Sequence, residues 1–475
     1  MSFKGLWIDG MRQVAERTMP IYSLHDGKVL AKVGLASKDD VVRAVEGAHR
    51  AFLTYREQPA HTRSRILFRV AELLDARREE AARLIAEEAG KPLKAARGEV
   101  QRAIQTYRFS AEEAKRIGGE TIPLDAAVGG EGRIGMTWRE PLGVVAAITP
   151  FNFPLNLVAH KLGPALAAGN TVVLKPAGST PLSSLFIAEL FHEAGLPPGA
   201  LQVVTGSGAE IGDVLVTHPL VKVITFTGSP AVGKALREKS GLKRTILELG
   251  SNSAVIVEPD APFEFAVNRV VEGAFQYAGQ ICISVQRIYV HEAIFDRFRA
   301  ALRERTAALK VGNPLDEETD VGPMIQTEEA ERVASWVAEA VRGGARIEVG
   351  GTQNGAFYMP TILLDVKPDM AVVSQEVFGP VASLIPYRNL DQAIEMANDS
   401  RYGLNVGVFT RDIQKAFYAA KRLEAGGIMV NDIPTFRVDH MPYGGVKESG
   451  FGREGVKYAV EEMTELKFVM INVDV

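Results

Sequence analysis

The sequence predicts an α/β protein built on parallel sheets, and three observations predict it. From Gly143 to about Val257, strand-like runs alternate with helical runs of roughly 10–15 residues. A second alternation follows from about residue 254 to 430. The strands are continuously apolar, as Gly143 to Ile148 shows, so helices are expected on both faces of the sheet. The 475 residues exceed one ordinary domain, and two or three are expected. A hydrophobic content of 46% and a charged content of 24% are those of an ordinary globular protein. The net charge of −4 gives no basic footprint for nucleic acid. No apolar run is long enough to span a membrane. The first residues lack an apolar stretch followed by a small-residue cleavage site. The single cysteine fits a reducing compartment. A cytoplasmic protein with neither nucleic-acid nor membrane partners is expected.

In chain order, residues 1–36 are turn-rich and weakly patterned. Ser37 reads as a helix N-cap, with Asp39 and Asp40 in the first turn. Val41, Val42, Val45 and Ala48 then recur at helical spacing. Further helical runs fall at about 60–90 and 93–116. Residues 117–142 carry Gly118-Gly119, Pro123 and Gly129-Gly130 before a strand-like run from Arg133 to Trp138, a hairpin excursion suited to an interface. The alternating region then gives strands at 143–148, 170–175, 201–204, 221–226 and 244–249. Helices between them fall at 154–168, 181–195, 209–216 and 229–240. A helical run from Pro262 to Tyr277, a strand at 287–290, helices at 293–309 and 328–342, and a strand at 382–387 continue the pattern. A closing strand runs from Leu466 to Val473. The boundary between the two alternating regions is placed at 250–260.

Ligands of parallel α/β sheets bind beyond the C-terminal ends of the strands. Thr149 to Asn152, Lys175, Thr227 to Ser229 and Glu248 occupy those ends. Asn152 reads either as an N-cap or as an amide donor for an oxyanion. Lys175 is either a surface lysine or a contact for a cofactor ribose or phosphate. Of two glycine loops, Gly206 to Gly212 has the wrong spacing for a dinucleotide fingerprint. Phe226 to Gly233 enters a helix start, with exposed N–H groups and the Ser229 hydroxyl suited to pyrophosphate. Glu248 lies between apolar residues. There it is either salt-bridged or raised in pKa in the manner of a general base. Cys282 follows Ala278-Gly279-Gln280-Ile281, a turn between a helix and a strand. One cysteine makes neither an intramolecular disulfide nor a Cys-rich zinc site, and no metal is expected. It is either a small packed hydrophobe or a nucleophile presented at a junction.

Taken together and in this order, these elements resemble the aldehyde dehydrogenase superfamily from about residue 5 to the end. The residues that carry the resemblance are Pro150–Pro154, Lys175, Phe226–Ser229, Glu248-Leu249-Gly250, Gly279–Cys282, Glu376–Pro380 and Pro442–Gly445. The resemblance implies a Rossmann-type NAD(P)-binding domain (1–117 and 141–252), an α/β catalytic domain (253–440) and a small β oligomerisation element (118–140 and 441–475). A homodimer or homotetramer would follow. It implies that Cys282 is the nucleophile, that Asn152 and the Cys282 N–H form the oxyanion hole, and that Glu248 activates the hydrolytic water. By the same resemblance, Pro150, Phe151, Lys175, Gly178, Gly228, Ser229, Gly233, Glu376 and Phe378 form the cofactor site.

Gly178 stands where many NAD-preferring members have a glutamate, so both NAD and NADP are expected. Relatives that pass the acyl group to coenzyme A lack the glutamate, so Glu248 points to a free carboxylic acid as product. Arg102 and His160 replace apolar and aromatic pocket residues. With Phe153 and Arg437 they are the expected substrate contacts. Converging cations suit a small hydroxylated or anionic aldehyde. This part of the pattern is similar to the lactaldehyde, phosphonoacetaldehyde and non-phosphorylating glyceraldehyde-3-phosphate branches. Ile281 is not the basic residue that the phosphate branches would suggest. The alternatives are a general or succinate-semialdehyde-type aldehyde dehydrogenase and, in another class, a cysteine hydrolase. The latter lacks a histidine near Cys282 in sequence.

Overall fold

The computed structural model describes residues 2–474. Five parallel strands form the centre of an eight-stranded sheet. Their order across it is Arg244–Glu248, Val221–Thr227, Val144–Ile148, Thr171–Lys175 and Leu201–Val203. The strand first in sequence, Val144–Ile148, lies beside the fourth, Val221–Thr227. The chain therefore winds one way from it and then the other, and the C-terminal ends of these two neighbours open a crevice at the switch. Gly450–Phe451 pairs antiparallel on one edge, and Leu6–Ile8 with Met11–Gln13 extends the other. Helices cover both faces. Asn156–Ala168 is buried along its whole length, which explains its mostly small and apolar sequence; its polar residues Asn156, His160 and Lys161 are buried too.

A second sheet of seven strands begins at Ala254–Val257. It runs Arg346–Val349, Thr361–Leu364, Val381–Tyr387, Arg287–His291, Ala254–Val257, Asn405–Phe409 and Gly427–Val430. All neighbours are parallel except the first pair. It has its own apolar core around Val255, Val270, Ile288, Phe298, Leu363 and Leu384. The polypeptide passes from one sheet to the other in the few residues between Glu248 and Ala254.

The strand Arg133–Pro141 pairs along its full length with Thr464–Asn472, and Thr121–Ile122 adds a third strand. The hairpin expected at 117–142 thus finds its partner at the C-terminal end of the chain. Leu466, Phe468, Met470 and Ile471 stay about half exposed on this sheet.

The structure departs from the sequence reading in two places. Residues 1–36 are strand-rich: Arg17–Tyr22, Val29–Leu35 and Ser2–Lys4 make a three-stranded sheet. These short strands have little local periodicity, and part of their pairing comes from afar, as when Trp7 meets Val203. The helical run at 60–90 is two helices, Ala60–Ala76 and Arg78–Ala89, broken at Arg77 (φ −112°, ψ 26°). Ser37 does cap its helix, through a reciprocal box with Asp40.

Candidate active site

The cysteine loop is built on strained backbone. After the helix Phe263–Phe275, Tyr277, Ala278 and Gly279 take φ of 51°, 51° and 67° in succession. Two of these are not glycine, and each such residue costs roughly 1–3 kcal/mol unless its surroundings impose the conformation. Here they do. The Tyr277 hydroxyl donates to Ala89 O at 2.8 Å, and Gln280 Oε1 accepts from Ile325 N at 2.9 Å. A side chain at Gly279 would collide with Gly379 O, so the loop lies directly on the Phe378-Gly379 turn. The result is a partly exposed Cys282.

Asn152 donates through Nδ2 to Gln280 O at 2.9 Å, joining the end of the first sheet's strand to the cysteine loop. It is not an N-cap. The helix that follows has no side-chain cap at Leu155; instead Glu99 accepts from Leu155 N and Asn156 N at 2.9 and 3.1 Å. Asn152 Oδ1 is buried without a partner among the described residues. Glu248 is the last residue of its strand and is 3% exposed, and both its carboxylate oxygens lack partners among the described residues. Burial first, and then the charge of Glu454, push its pKa well up; Arg437 and Lys161 oppose the shift. Cys282 Sγ lies 3.1 Å from the Tyr443 hydroxyl. Burial pushes the thiol up to about 11, while the Tyr443 hydrogen bond and the Arg437 charge pull it down.

Two cavities meet at Cys282. The first, of about 460 Å³, is lined by Pro150, Phe151, Asn152, Gly228, Ser229, Glu248, Glu376 and Phe378, with the thiol at its end. Phe151 and Phe378 face each other edge-on with ring centres 5.8 Å apart. Ser229 caps the helix Pro230–Ser240. Glu376 accepts from Ser251 N at 2.9 Å, and burial pushes its carboxyl up to about 7. Three of the residues expected here do not line the cavity. Gly233 lets its helix pack on Leu249, since any side chain there would strike that leucine. Lys175 is buried, its Nζ meets Pro176 O at 3.3 Å, and it runs alongside Gly208 in the glycine loop that sequence spacing disfavoured. Gly178 is half-buried near Met19, and its neighbour Ser179 lines the cavity in its place.

The second cavity, of about 340 Å³, is lined by Arg102, Phe153, Ile281, Cys282, Arg437 and Tyr443, among others. His160 is not among them; it is 1% exposed and sits behind the wall. Its Nε2 lies 2.8 Å from Asp439 Oδ1. Asp439 also accepts from Arg102 (Nη2, 2.7 Å) and from Asn156 Nδ2 (3.1 Å). Arg437 stacks 3.6 Å over the Tyr443 ring and donates to Glu454 at 3.0 Å; Glu454 in turn meets Lys161 at 3.0 Å. Sequence reasoning missed Tyr443, Asp439, Glu454 and Lys161 as members of the site. Tyr443 lies inside the Pro442–Gly445 motif, and Asp439 lies two residues after Arg437. The other two give no local signal.

The aldehyde dehydrogenase family matches residues 11–469. The chain is 53% identical over 468 residues to 3-sulfolactaldehyde dehydrogenase of Priestia aryabhattai, covering 98% of each. Aldehyde dehydrogenase 21 from Physcomitrella patens, solved with the reaction product succinate, superposes with a TM-score of 0.98 at 39% identity, over 99% of this chain and 98% of that one. Glyceraldehyde-3-phosphate dehydrogenase GapN from Methanocaldococcus jannaschii, solved with NADP, gives 0.93 at 41% identity, over 96% and 100%. With a family match that spans nearly the whole chain and relatives of this closeness, the protein belongs to the aldehyde dehydrogenase family and is an NAD(P)-dependent oxidoreductase.

Proposed function

We propose that this enzyme oxidises a small hydroxylated aldehyde with an anionic head group, 3-sulfolactaldehyde among the candidates, to the free acid with NAD or NADP. The observation that carries the reading is that Arg102 and Arg437 line the same cavity as Cys282. The relatives named above support it, since 3-sulfolactaldehyde, succinate and glyceraldehyde 3-phosphate all carry an anionic group.

In this reading the Cys282 thiol loses its proton and sulfur attacks the aldehyde carbon. The resulting oxyanion accepts from the second Asn152 Nδ2 hydrogen and from the Cys282 N–H. Such donors are each worth about 2.7–4 kcal/mol in the transition state. The bound cofactor supplies a hydride acceptor for that carbon, leaving a thioester on Cys282. Glu248, whose oxygens have no competing partner among the described residues, takes a proton from water, and the water oxygen displaces sulfur to give the acid. The residues of the first cavity suit a dinucleotide. Phe151 and Phe378 offer aromatic walls, Gly228 and Ser229 stand at a helix start for pyrophosphate, and the buried Thr227 hydroxyl lacks a partner among the described residues. Lys175 and Glu376 are assigned to the riboses. Gly178, with no carboxylate to repel a 2′-phosphate, leaves NADP as acceptable as NAD. Residues 1–117 with 141–252 then form the cofactor domain and 253–440 the catalytic domain. The half-exposed apolar sheet of 118–140 and 441–475 joins subunits of a homodimer or homotetramer.

The test is a panel of 3-sulfolactaldehyde, succinate semialdehyde and neutral lactaldehyde, each with NAD and NADP, followed by reduced-nicotinamide absorbance. An anionic aldehyde should exceed lactaldehyde in kcat/KM by about tenfold or more, the effect of one or two charge-assisted hydrogen bonds. Equal values would overturn the anionic substrate, and no turnover with any aldehyde would overturn the reaction.

A further inference from the structure

The cations that line the second cavity are not free. Arg102 gives Nε and Nη2 to Asp439. Arg437 gives Nη2 to Glu454, with His160 beside it at 3.3 and 3.5 Å. Lys161 completes the set against Glu454 and Thr225. A neutral ring with its proton on Nε2 donates to Asp439 and leaves Nδ1 to accept from Arg437 Nη2 at 3.5 Å. Burial disfavours its charged form. The connected network thus holds three cations against two carboxylates and carries one net positive charge. The other charged linings are paired separately, Lys94 with Asp320 and Glu99 with Lys91. Two donors of the network remain for a ligand: among the described residues Arg102 bonds only through Nε and Nη2 and Arg437 only through Nη2, so the Nη1 group of each is uncommitted, while Arg437 Nε is buried without a partner.

Resting on the anion-binding reading above, we propose that Asp439 is a specificity-determining, positioning residue. It holds Arg102 and cancels one positive charge, so that the cavity takes a singly charged head group (a sulfonate, sulfate ester or carboxylate) in preference to a doubly charged phosphate. A single charge matches the one left over in the network and finds two donors. A second charge would find the remaining cations of the cavity already paired, Lys94 with Asp320 among them, and an unpaired ion there is costly.

Glyceraldehyde 3-sulfate and glyceraldehyde 3-phosphate isolate the question, because they share a skeleton and a tetrahedral head and differ in charge. The native enzyme should favour the sulfate in kcat/KM by about tenfold or more, and Asp439→Asn, which keeps the shape and removes the charge, should shrink that ratio by about tenfold. A merely structural role for Asp439 would lower both substrates alike and leave the ratio unchanged, which would overturn the assignment. A native enzyme that prefers the phosphate or treats both equally would also overturn it. If both anions are used no better than lactaldehyde, the anionic reading itself fails. Competitive inhibition of the native enzyme by methyl sulfate and methyl phosphate is an independent reading that requires no variant. Weaker inhibition by the phosphate is expected, and equal inhibition would overturn the proposal.

Discussion

The two cavities that meet at Cys282 are built on opposite electrostatic principles. In the first, Asn152 Oδ1, Thr227 Oγ1 and both oxygens of Glu248 are buried without partners among the described residues. In the second, the charged side chains are paired: Arg102 with Asp439, Arg437 with Glu454, Lys94 with Asp320 and Lys91 with Glu99. A buried polar group left unmatched costs about 1–3 kcal/mol, so the first cavity stores instability that a ligand or a reaction intermediate can relieve. The second spends most of its charge internally, leaving one net positive charge and Arg437 Nε as a buried donor without a partner among the described residues. Reaction and recognition therefore occupy separate chambers; Leu157 and Cys282 line both, and the thiol is the reactive group they share.

The largest effect should come from removing that shared group. Cys282→Ala should lower turnover of any aldehyde by about 10⁴-fold or more, as losses of a covalent nucleophile do, while cofactor affinity measured by fluorescence titration is preserved. Residual turnover near the native rate would mean that the chambers do not communicate through sulfur.

The next prediction contrasts one deletion in each chamber. Glu248→Gln should leave a first-turnover burst of reduced cofactor but slow the steady state by about 10²–10⁴-fold, because only thioester hydrolysis loses its base. It should not destabilise the fold. Burial raises the Glu248 pKa above its unfolded value, so the folded protein keeps a proton that the unfolded chain releases. Native stability therefore falls as pH rises above the ordinary carboxylate range, and the glutamine variant escapes that loss. Thermal melts at pH 5 and pH 8 should show the variant gaining on the native protein at the higher pH. Arg437→Met breaks a pair instead and leaves Glu454 with Lys161 alone, which should cost about 3–5 kcal/mol of stability. Equal behaviour of the two variants would erase the contrast between the chambers.

This contrast also explains what the sequence could reveal. Asn152, Thr227, Ser229 and Glu248 lie at the ends of apolar strands, and alternation alone says where a parallel sheet gathers such ends. Two of the pairs in the second chamber join residues far apart in sequence. Arg102 meets Asp439 across 337 positions and Lys161 meets Glu454 across 293, so each looks like an ordinary charge until the chain is folded. His160 shows the limit most clearly. Its helix was legible, but whether it faced the cavity or the network behind it depended on Asp439 and Arg437, which approach from the far end of the sequence. The same holds for the strands of residues 1–36, whose pattern is weak because part of their pairing is long-range. Tyr443 stood within a motif that had been singled out, yet nothing local marked its hydroxyl as the neighbour of Cys282.

That hydroxyl gives the smallest and sharpest test. The 3.1 Å contact between Tyr443 O and Cys282 Sγ can run in either direction. If the phenol donates to sulfur, it stabilises the thiolate and partly offsets the burial that pushes the thiol up to about 11. Alkylation of the native enzyme by iodoacetamide should then rise about tenfold per pH unit through the neutral range, since the reacting thiolate is a minor species there. Tyr443→Phe should slow alkylation several-fold at each pH, because the thiolate loses a hydrogen bond and its pKa rises further. If the thiol donates to the phenol instead, the substitution removes a partner of the protonated form, and alkylation should quicken. The sign of the change therefore assigns the proton between oxygen and sulfur. A donating phenol means that the second chamber, through the Arg437 stacked on the Tyr443 ring, helps to set the reactivity of the atom it shares with the first.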